Sequence, residues 1–487
     1  MRKAKHLVRG QVVANRLRIT VVSTVALLNL ATLCAGVAVA GLLPARLSLW
    51  DIPRVAGRPL VAAGPALAGP RRPAALATGA GLARALDPLL TATALGSHAG
   101  VTVTDVASGV VLYSRNGASA AAPASSQKLT TAAAALAVLG PGTTFTTSVM
   151  PGRAAGSIVL AGGGDPTLAA GRPPAGQYPQ AATLRSLAAA AARWLRGRGE
   201  RAVRVSYDTS RFTGPDLAPG WTPSYISTGN VTPISALEVD QGRLTPAGRP
   251  EDADNPLNFR ARSLTPAADA ARAFAAFLAA DGIRVRATVP GRAPAGARPV
   301  ASVHSPPVSA MVDQMLRESN NVIAEDLARQ VALHAGRPGS FAGATAAVTA
   351  VLRRLGVTGI HLVDGSGLSP DNRLTPNALS RLVTVAAGPH GGALRPIVAA
   401  LPVAGFSGTL APGGSVFGNF GRPALGMVRA KTGNLTTVAS LTGIVTDASG
   451  EILGFSFMAD KIPNGALAKA TTVMDRMATA LATCGCG

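Results

Sequence analysis

A mixed α/β (α+β) fold in more than one unit is predicted for this chain, on three observations. Its 487 residues are too many for one ordinary domain. Hydrophobic residues make up 47% and charged residues 14%, too apolar for a disordered chain, while 55 Gly and 36 Pro interrupt it too often for a polytopic membrane protein. Stretches with helical character, 125–139 and 308–334, stand among β-branched runs such as Ser157-Ile158-Val159-Leu160, Val203-Arg204-Val205-Ser206 and Val438–Val445.

At the N-terminus, Arg2, Lys3, Lys5, Arg9, Arg16 and Arg18 precede an uncharged, mostly apolar run from Ile19 to Leu43. A bilayer core needs roughly 20 helical residues and a signal-peptide core only about 7 to 15, so 1–18 reads as a cytoplasmic basic tail and 19–43 as a transmembrane anchor. The remainder is then extracytoplasmic at the cell membrane. Ala38-Val39-Ala40 leaves cleavage open, which would secrete it instead. Residues 44–85, rich in Ala, Gly, Pro and Arg, read as a flexible tether.

Lys plus Arg outnumber Asp plus Glu by 46 to 24, a net charge of +22 that favours weak attraction to polyanions. The basic residues are scattered and aromatics are 4%, so nothing offers bases a stacking platform and no nucleic-acid partner is expected. Cys34, Cys484 and Cys486 make no zinc spacing, and no glycine run has the form of a dinucleotide or phosphate loop; neither metal nor cofactor is expected. Cys484 and Cys486 admit a local disulfide, two thiols or an intermolecular link.

Pro123-Ala124-Ser125-Ser126-Gln127-Lys128-Leu129 opens a segment whose helix is expected to reach about Leu139, where Gly140-Pro141 stops it. Ser125 and Lys128 are then one turn apart on one face, where a lysine amine can take a serine proton without any histidine. That requires burial and a neighbouring positive charge to depress the lysine. The competing explanation is an N-terminal serine beside a solvated lysine.

Ser319-Asn320-Asn321 interrupts the stretch 308–334, because adjacent asparagines favour a break between helices. Asn320 or Asn321 serves as a cap on one reading. On the other, Ser319 relays a proton and Asn321 hydrogen-bonds the lysine and a substrate amide. Lys431-Thr432-Gly433-Asn434 lies in the first strand of an expected hairpin, 428–435 and 438–445. The chain has only six lysines, at 3, 5, 128, 431, 461 and 469, so two of the four beyond the basic tail fall in motif positions. Lys431 would supply the second positive charge, Thr432 a hydroxyl for a substrate carboxylate, and Gly433 the close approach of an edge strand to a ligand.

These motifs, in this order, are those of serine penicillin-binding proteins and β-lactamases. Longer strings narrow the likeness: Ala161–Leu168 (AGGGDPTL), Tyr207–Phe212 (YDTSRF), Asp364–Ser369 (DGSGLS) and Gly408-Thr409-Leu410. From about residue 85 the chain resembles the D-alanyl-D-alanine carboxypeptidase/endopeptidases related to penicillin-binding protein 4, the low-molecular-mass class C group of serine peptidase family S13. The resemblance implies a transpeptidase-like antiparallel sheet flanked by helices, built from 86–149 and 301–487. The separation of 194 positions from Ser125 to Ser319 leaves room for inserted accessory lobes, 150–300, expected to be mainly β with a helix near Ala267–Asp281.

The resemblance also implies the chemistry. Ser125, activated by Lys128, would attack a terminal D-Ala-D-Ala bond of a peptidoglycan stem peptide and form an acyl-enzyme that water resolves. Backbone N–H groups of Ser125 and Asn434 would bind the oxyanion. β-Lactam antibiotics would acylate the same serine. Asp208 matches a side-chain-binding position of the family, or simply forms a turn before Thr209. Pro370 stands where the family carries an arginine, with Arg373 nearby. Two other functions remain open: a β-lactamase, or a non-catalytic wall-binding protein. A Ser-His-Asp hydrolase is not expected, since no Gly-x-Ser-x-Gly elbow exists and the six histidines show no partner motif.

Overall fold

The computed structural model describes residues 76–171, 178–244, 260–412 and 417–486. The expected anchor at 19–43, with Cys34, lies outside them, and among the described residues no helix is long and apolar enough to cross a membrane.

Helix α1, Gly79–Leu90, is capped by Thr78, whose side chain accepts from the Gly81 amide. Leu82 and Leu86, one turn apart, are fully buried, and burying each contributes about 1.5–3 kcal/mol. Residues 79–85, read as tether, therefore belong to the fold; Ala, Gly and an internal Pro88 conceal the helix in the sequence. Strands β1 (Ala99–Asp105) and β2 (Val111–Arg115) follow, then a 3₁₀ turn, Ala124–Gln127, that runs directly into α2 (Lys128–Val138).

The insert's sheet reaches past the expected 150–300 on both sides, and the insert contains β3 (Thr146–Pro151), β4 (Ser157–Ala161), α3 (Leu184–Gly197), β5 (Ala202–Asp208), the short α4 (Ser224–Ser227), α5 (Pro266–Ala280), β6 (Arg284–Pro290) and β7 (Ala301–His304). Its sheet has the order β6-β5-β4-β3-β7, with β4–β5 and β5–β6 parallel. The expectation of a mainly β insert is corrected here. Parallel neighbours require crossovers, and α3 and α5 supply them. Leu184, Leu187, Ala188, Ala191 and Leu195 recur at helical spacing and join Phe274 and Leu278 of α5 in one core with the sheet.

Beyond it come α6 (Val308–Arg317), α7 (Asn321–His334), α8 (Phe341–Arg354), a small hairpin of β8 (Ile360–His361) and β9 (Arg373–Leu374), α9 (Pro376–Ala387) and α10 (Arg395–Ala400). The chain ends in β10 (Val428–Leu435), β11 (Val438–Thr446), β12 (Ile452–Ala459) and α11 (Leu467–Ala482). The main sheet has the order β10-β11-β12-β1-β2 and is antiparallel throughout. Because β1 pairs with β12, from Ala99↔Ala459 to Asp105↔Leu453, the two ends of the described chain build one discontinuous unit around the insert.

Helices cover both faces of this sheet. Leu129, Met311, Ile323, Val348 and Leu379 pack with Ile444 and Met458 on one side. Leu82, Leu86, Met474 and Leu481 pack with Leu441, Phe455 and Phe457 on the other. Cys484 and Cys486 are paired with each other, and the Cys486 carbonyl accepts from the Thr78 amide at the start of α1.

Candidate active site

Ser125 occupies the 3₁₀ turn and Lys128 the first position of α2. At three residues per turn, positions i and i+3 eclipse, so the 3₁₀ geometry stacks the amine on the hydroxyl more directly than the expected α-helix would. Ala124 has φ +45°, a left-handed conformation that costs a non-glycine residue about 1 kcal/mol or more. Its carbonyl lies against Gly367 (φ +87°), where a Cβ would fall 1.9 Å from the Ala124 oxygen. The glycine of the DGSGLS string thus lets that loop seat beneath the serine-bearing turn.

Lys128 is fully buried, and its Nζ has three partners: Ser125 Oγ at 2.9 Å, Asn321 Oδ1 at 2.6 Å and the Ser366 carbonyl at 2.9 Å. The Asn321 amide is oriented by Nδ2, which donates to the Asn230 carbonyl at 2.9 Å. A neutral amine has two hydrogens and one lone pair. Asn321 Oδ1 and Ser366 O can only accept, so they take both hydrogens and leave the lone pair for the Ser125 hydroxyl. Burial pulls Lys128 down to about 7, against the opposing pull of Asp364 and Glu325.

Asn320 caps α7 through Oδ1, which accepts from the Ile323 amide at 3.1 Å, so capping and site roles coexist in adjacent asparagines. Ser319, at φ +58° between α6 and α7, places Oγ 2.9 Å from Lys431 Nζ, which also donates to the Thr432 carbonyl at 2.7 Å. Lys431 is itself fully buried and pushed well below the usual lysine range, by burial first and by Lys128 second. The expectation that Lys431 serves as the cation that depresses Lys128 is therefore corrected. Desolvation acts on both amines, and neither is a solvated charge.

Strand β10 lies at the sheet edge. A Cβ on Gly433 would meet Ser440 Oγ at 2.4 Å, the Pro123 carbonyl at 2.7 Å and the Ser125 amide at 2.9 Å. The close approach expected at Gly433 is to the serine-bearing turn itself. Thr432 Oγ1 is 2.8 Å from Thr409 Oγ1 of the Gly408-Thr409-Leu410 string. Asn434 is exposed on the same strand, paired with Ala439.

Asp208 ends β5 in the insert, where its carboxylate accepts from the amides of Ser210 (2.8 Å) and Ala293 (2.7 Å), the geometry of a turn. Among the described residues no hydrogen bond joins it to the serine–lysine cluster. Arg373 donates to the carbonyls of Pro370 and Asn372 at 2.5 and 2.8 Å, staying with its own loop.

Glu325 and Trp221 are absent from the sequence reading, and Asp364 enters it only as part of the DGSGLS string, with no role at the amine. Glu325 accepts from the amides of Gly365 and Ser366; Asp364 accepts from Gly367, Ser369, Asn372 and, at 2.8 Å, from Trp221 Nε1 of the insert. Glu325 carries a local signal, its i+4 spacing from Asn321, and Asp364 opens the DGSGLS string.

His98 has a partner on each ring nitrogen. His98 Nδ1 is 2.5 Å from Asp460 Oδ1 and its Nε2 is 2.7 Å from Ser119 Oγ, while Asp460 Oδ2 accepts from the Ala122 amide at 2.9 Å. This clasp ties the approach to the Ser125 turn onto the end of β12. Replacing His98 with alanine is expected to cost about 1–2 kcal/mol of stability, read by denaturant unfolding.

The antiparallel sheet between helix layers, with a serine and two buried lysines at its edge, defines a serine enzyme of the transpeptidase-like class. A family model described as the D-Ala-D-Ala carboxypeptidase 3 (S13) family matches residues 82–255 and 243–483, and the chain belongs to this family. It is 40% identical over 413 residues to Carboxypeptidase DacB of Mycolicibacterium smegmatis, covering 84% of this chain and 85% of the relative. It is 39% identical over 421 residues to Carboxypeptidase Rv3627c of Mycobacterium tuberculosis, covering 85% and 86%. The crystal structure of penicillin binding protein 4 (dacB) from Haemophilus influenzae shares the fold at a TM-score of 0.66 and 23% identity, over 83% of this chain and 98% of that one. The protein is a carboxypeptidase of the serine peptidase type.

Proposed function

We propose that the chain is a serine-type D-Ala-D-Ala carboxypeptidase acting on peptidoglycan stem peptides, with Ser125 as nucleophile and Lys128 as its base. The hydrogen-bond accounting at Lys128 carries this reading: two obligate acceptors leave its lone pair directed at the Ser125 hydroxyl. Ser125 Oγ attacks the carbonyl of the penultimate D-Ala while its proton passes to Lys128 Nζ. The C–N bond then breaks, the released D-Ala nitrogen takes that proton from Lys128 by way of the Ser319 hydroxyl, and water resolves the acyl-enzyme, its oxygen bonding the acyl carbon while one of its protons returns through Lys128 to Ser125 Oγ. Lys431 and Thr432 would hold the terminal carboxylate, and the amides of Ser125 and Asn434 the oxyanion. A Cβ on Gly433 would fall 2.9 Å from the Ser125 amide nitrogen, so the strand that carries Asn434 runs beside that N–H, which supports that last placement.

A lysine at its ordinary pKa would be neutral in only roughly 0.04% of molecules at pH 7, whereas one near 7 is about half neutral. Activity is therefore expected to rise with pH through about 7 and level off above it, as Lys128 loses its proton.

A labelled penicillin is expected to form a stable adduct on Ser125, absent from Ser125→Ala. Rapid drug turnover would point instead to a β-lactamase, and no adduct to a binding protein. Mass spectrometry of products from purified muropeptides separates D-Ala release from endopeptidase cleavage of cross-links, which the same cluster could also perform. Membrane anchoring through 19–43, with the enzyme extracytoplasmic, is supported by the basic-then-apolar pattern of that segment. Cell fractionation tests it: the full chain should sediment with membranes and a chain lacking 1–43 should not.

A further inference from the structure

We propose that Glu325 is a positioning residue that sets the base strength of Lys128, acting through the backbone N–H and C=O of Ser366. The inference rests on the assignment of Lys128 as the base. Glu325 lies one turn beyond Asn321 on α7, so one helix face presents both. Asn321 touches the amine directly. Glu325 reaches it through one residue: its carboxylate accepts from the Ser366 amide at 2.7 Å and the Gly365 amide at 2.9 Å, and the Ser366 carbonyl accepts from Lys128 Nζ at 2.9 Å.

Glu325 has no exposure to solvent. A fully buried carboxylate is costly, and two amide donors could equally be satisfied by a neutral acceptor such as glutamine. The charge therefore calls for a role that an amide would not fill. When Lys128 takes the serine proton it becomes a buried cation, and a nearby negative charge stabilises that form.

The other charged groups facing Glu325 are Asp364 from the 362–372 loop, and Arg329 and Asp326 from its own helix. Arg329 spends its NH1 and NH2 groups on the carbonyls of Gly339, Thr213 and Pro215, leaving the carboxylate to the loop amides. Burial and Asp364 push Glu325 up to about 7, so it and Lys128 titrate in the same range and behave as a pair.

The sign follows. Removing the negative charge weakens the hold on the proton, so Lys128 becomes neutral at lower pH but is a poorer base once neutral. In Glu325→Gln the acid limb of β-lactam acylation is expected to move down by roughly one pH unit and the plateau to fall several-fold. Glu325→Asp keeps the charge with shorter reach, so it should keep the limb and lose plateau rate.

The test is the rate of acylation by a fluorescent penicillin, measured by stopped flow from pH 5 to 9 on the full chain and both variants. A Glu325→Gln limb coincident with wild type overturns the inference, whatever its plateau, because a purely structural role moves only the plateau. Should Glu325→Gln fail to fold, Glu325→Met, which also removes the charge, decides by the same readout: a limb moved down by roughly one pH unit supports the inference, and one at the wild-type position overturns it. Failure of the wild type to acquire an adduct on Ser125 would instead refute the assignment of the base.

Discussion

Replacing Lys128 with methionine is expected to lower Ser125 acylation by roughly 10³-fold or more, the scale of losing a general base together with its alignment. The substitution keeps the length of the stem and removes only the amine. It leaves Asn321 Oδ1 and the Ser366 carbonyl without their donor, at about 1–3 kcal/mol for each buried acceptor. It also relieves the cost of holding a titratable amine in a site with no solvent exposure. The two effects oppose, so the variant should remain folded by circular dichroism while its acylation collapses. A Lys128→Met enzyme that acylates within tenfold of wild type would mean that another group takes the serine proton.

The second large effect is expected at Gly433. An alanine methyl there would sit 2.7 Å from the Pro123 carbonyl and 2.9 Å from the Ser125 amide, both backbone atoms that cannot rotate away. Either the edge strand or the serine-bearing turn must shift. Misplacement of the order of 1 Å at a reacting centre costs about 10²-fold in rate, and acylation of Gly433→Ala should fall by that amount. The loss should appear in the acylation rate more than in thermal stability, since β10 keeps its pairing with β11 from Val428↔Val445 to Leu435↔Val438. Thermal unfolding alongside stopped-flow acylation separates the two.

The parts of this site that were legible in the sequence are those fixed by local spacing. Ser125 and Lys128 are three apart, and the 3₁₀ turn makes that separation one turn. Adjacent asparagines at 320 and 321 break the helix where α6 gives way to α7. The β-branched hairpin around Lys431 appears as β10 and β11. The left-handed conformation at Ala124 and the close packing of Gly367 against its carbonyl, from more than two hundred residues away, are encoded by no local pattern. The same holds for Ser366, Asp364 and Trp221, which reach the site only once the insert and the 362–372 loop close on α2.

Charge was the least legible property. Two lysines in motif positions suggested a neutral base beside a cation, yet the fold gives both amines zero exposure, and burial depresses both. Whether a side chain is buried depends on what packs over it. In the insert, helical spacing in 184–195 competes with the strand-like runs on either side, and only the parallel register reveals that α3 is a crossover.

The most direct test is the pH dependence of Ser125 acylation by a β-lactam in the unmodified enzyme, followed from pH 5 to 10 with the adduct mapped by mass spectrometry. An amine half-deprotonated near neutrality requires the rate to climb through about pH 7 and flatten above it. A rate that is flat across the range, or that climbs only towards the ordinary lysine pKa of roughly 10.4, would contradict a neutral Lys128 as the base.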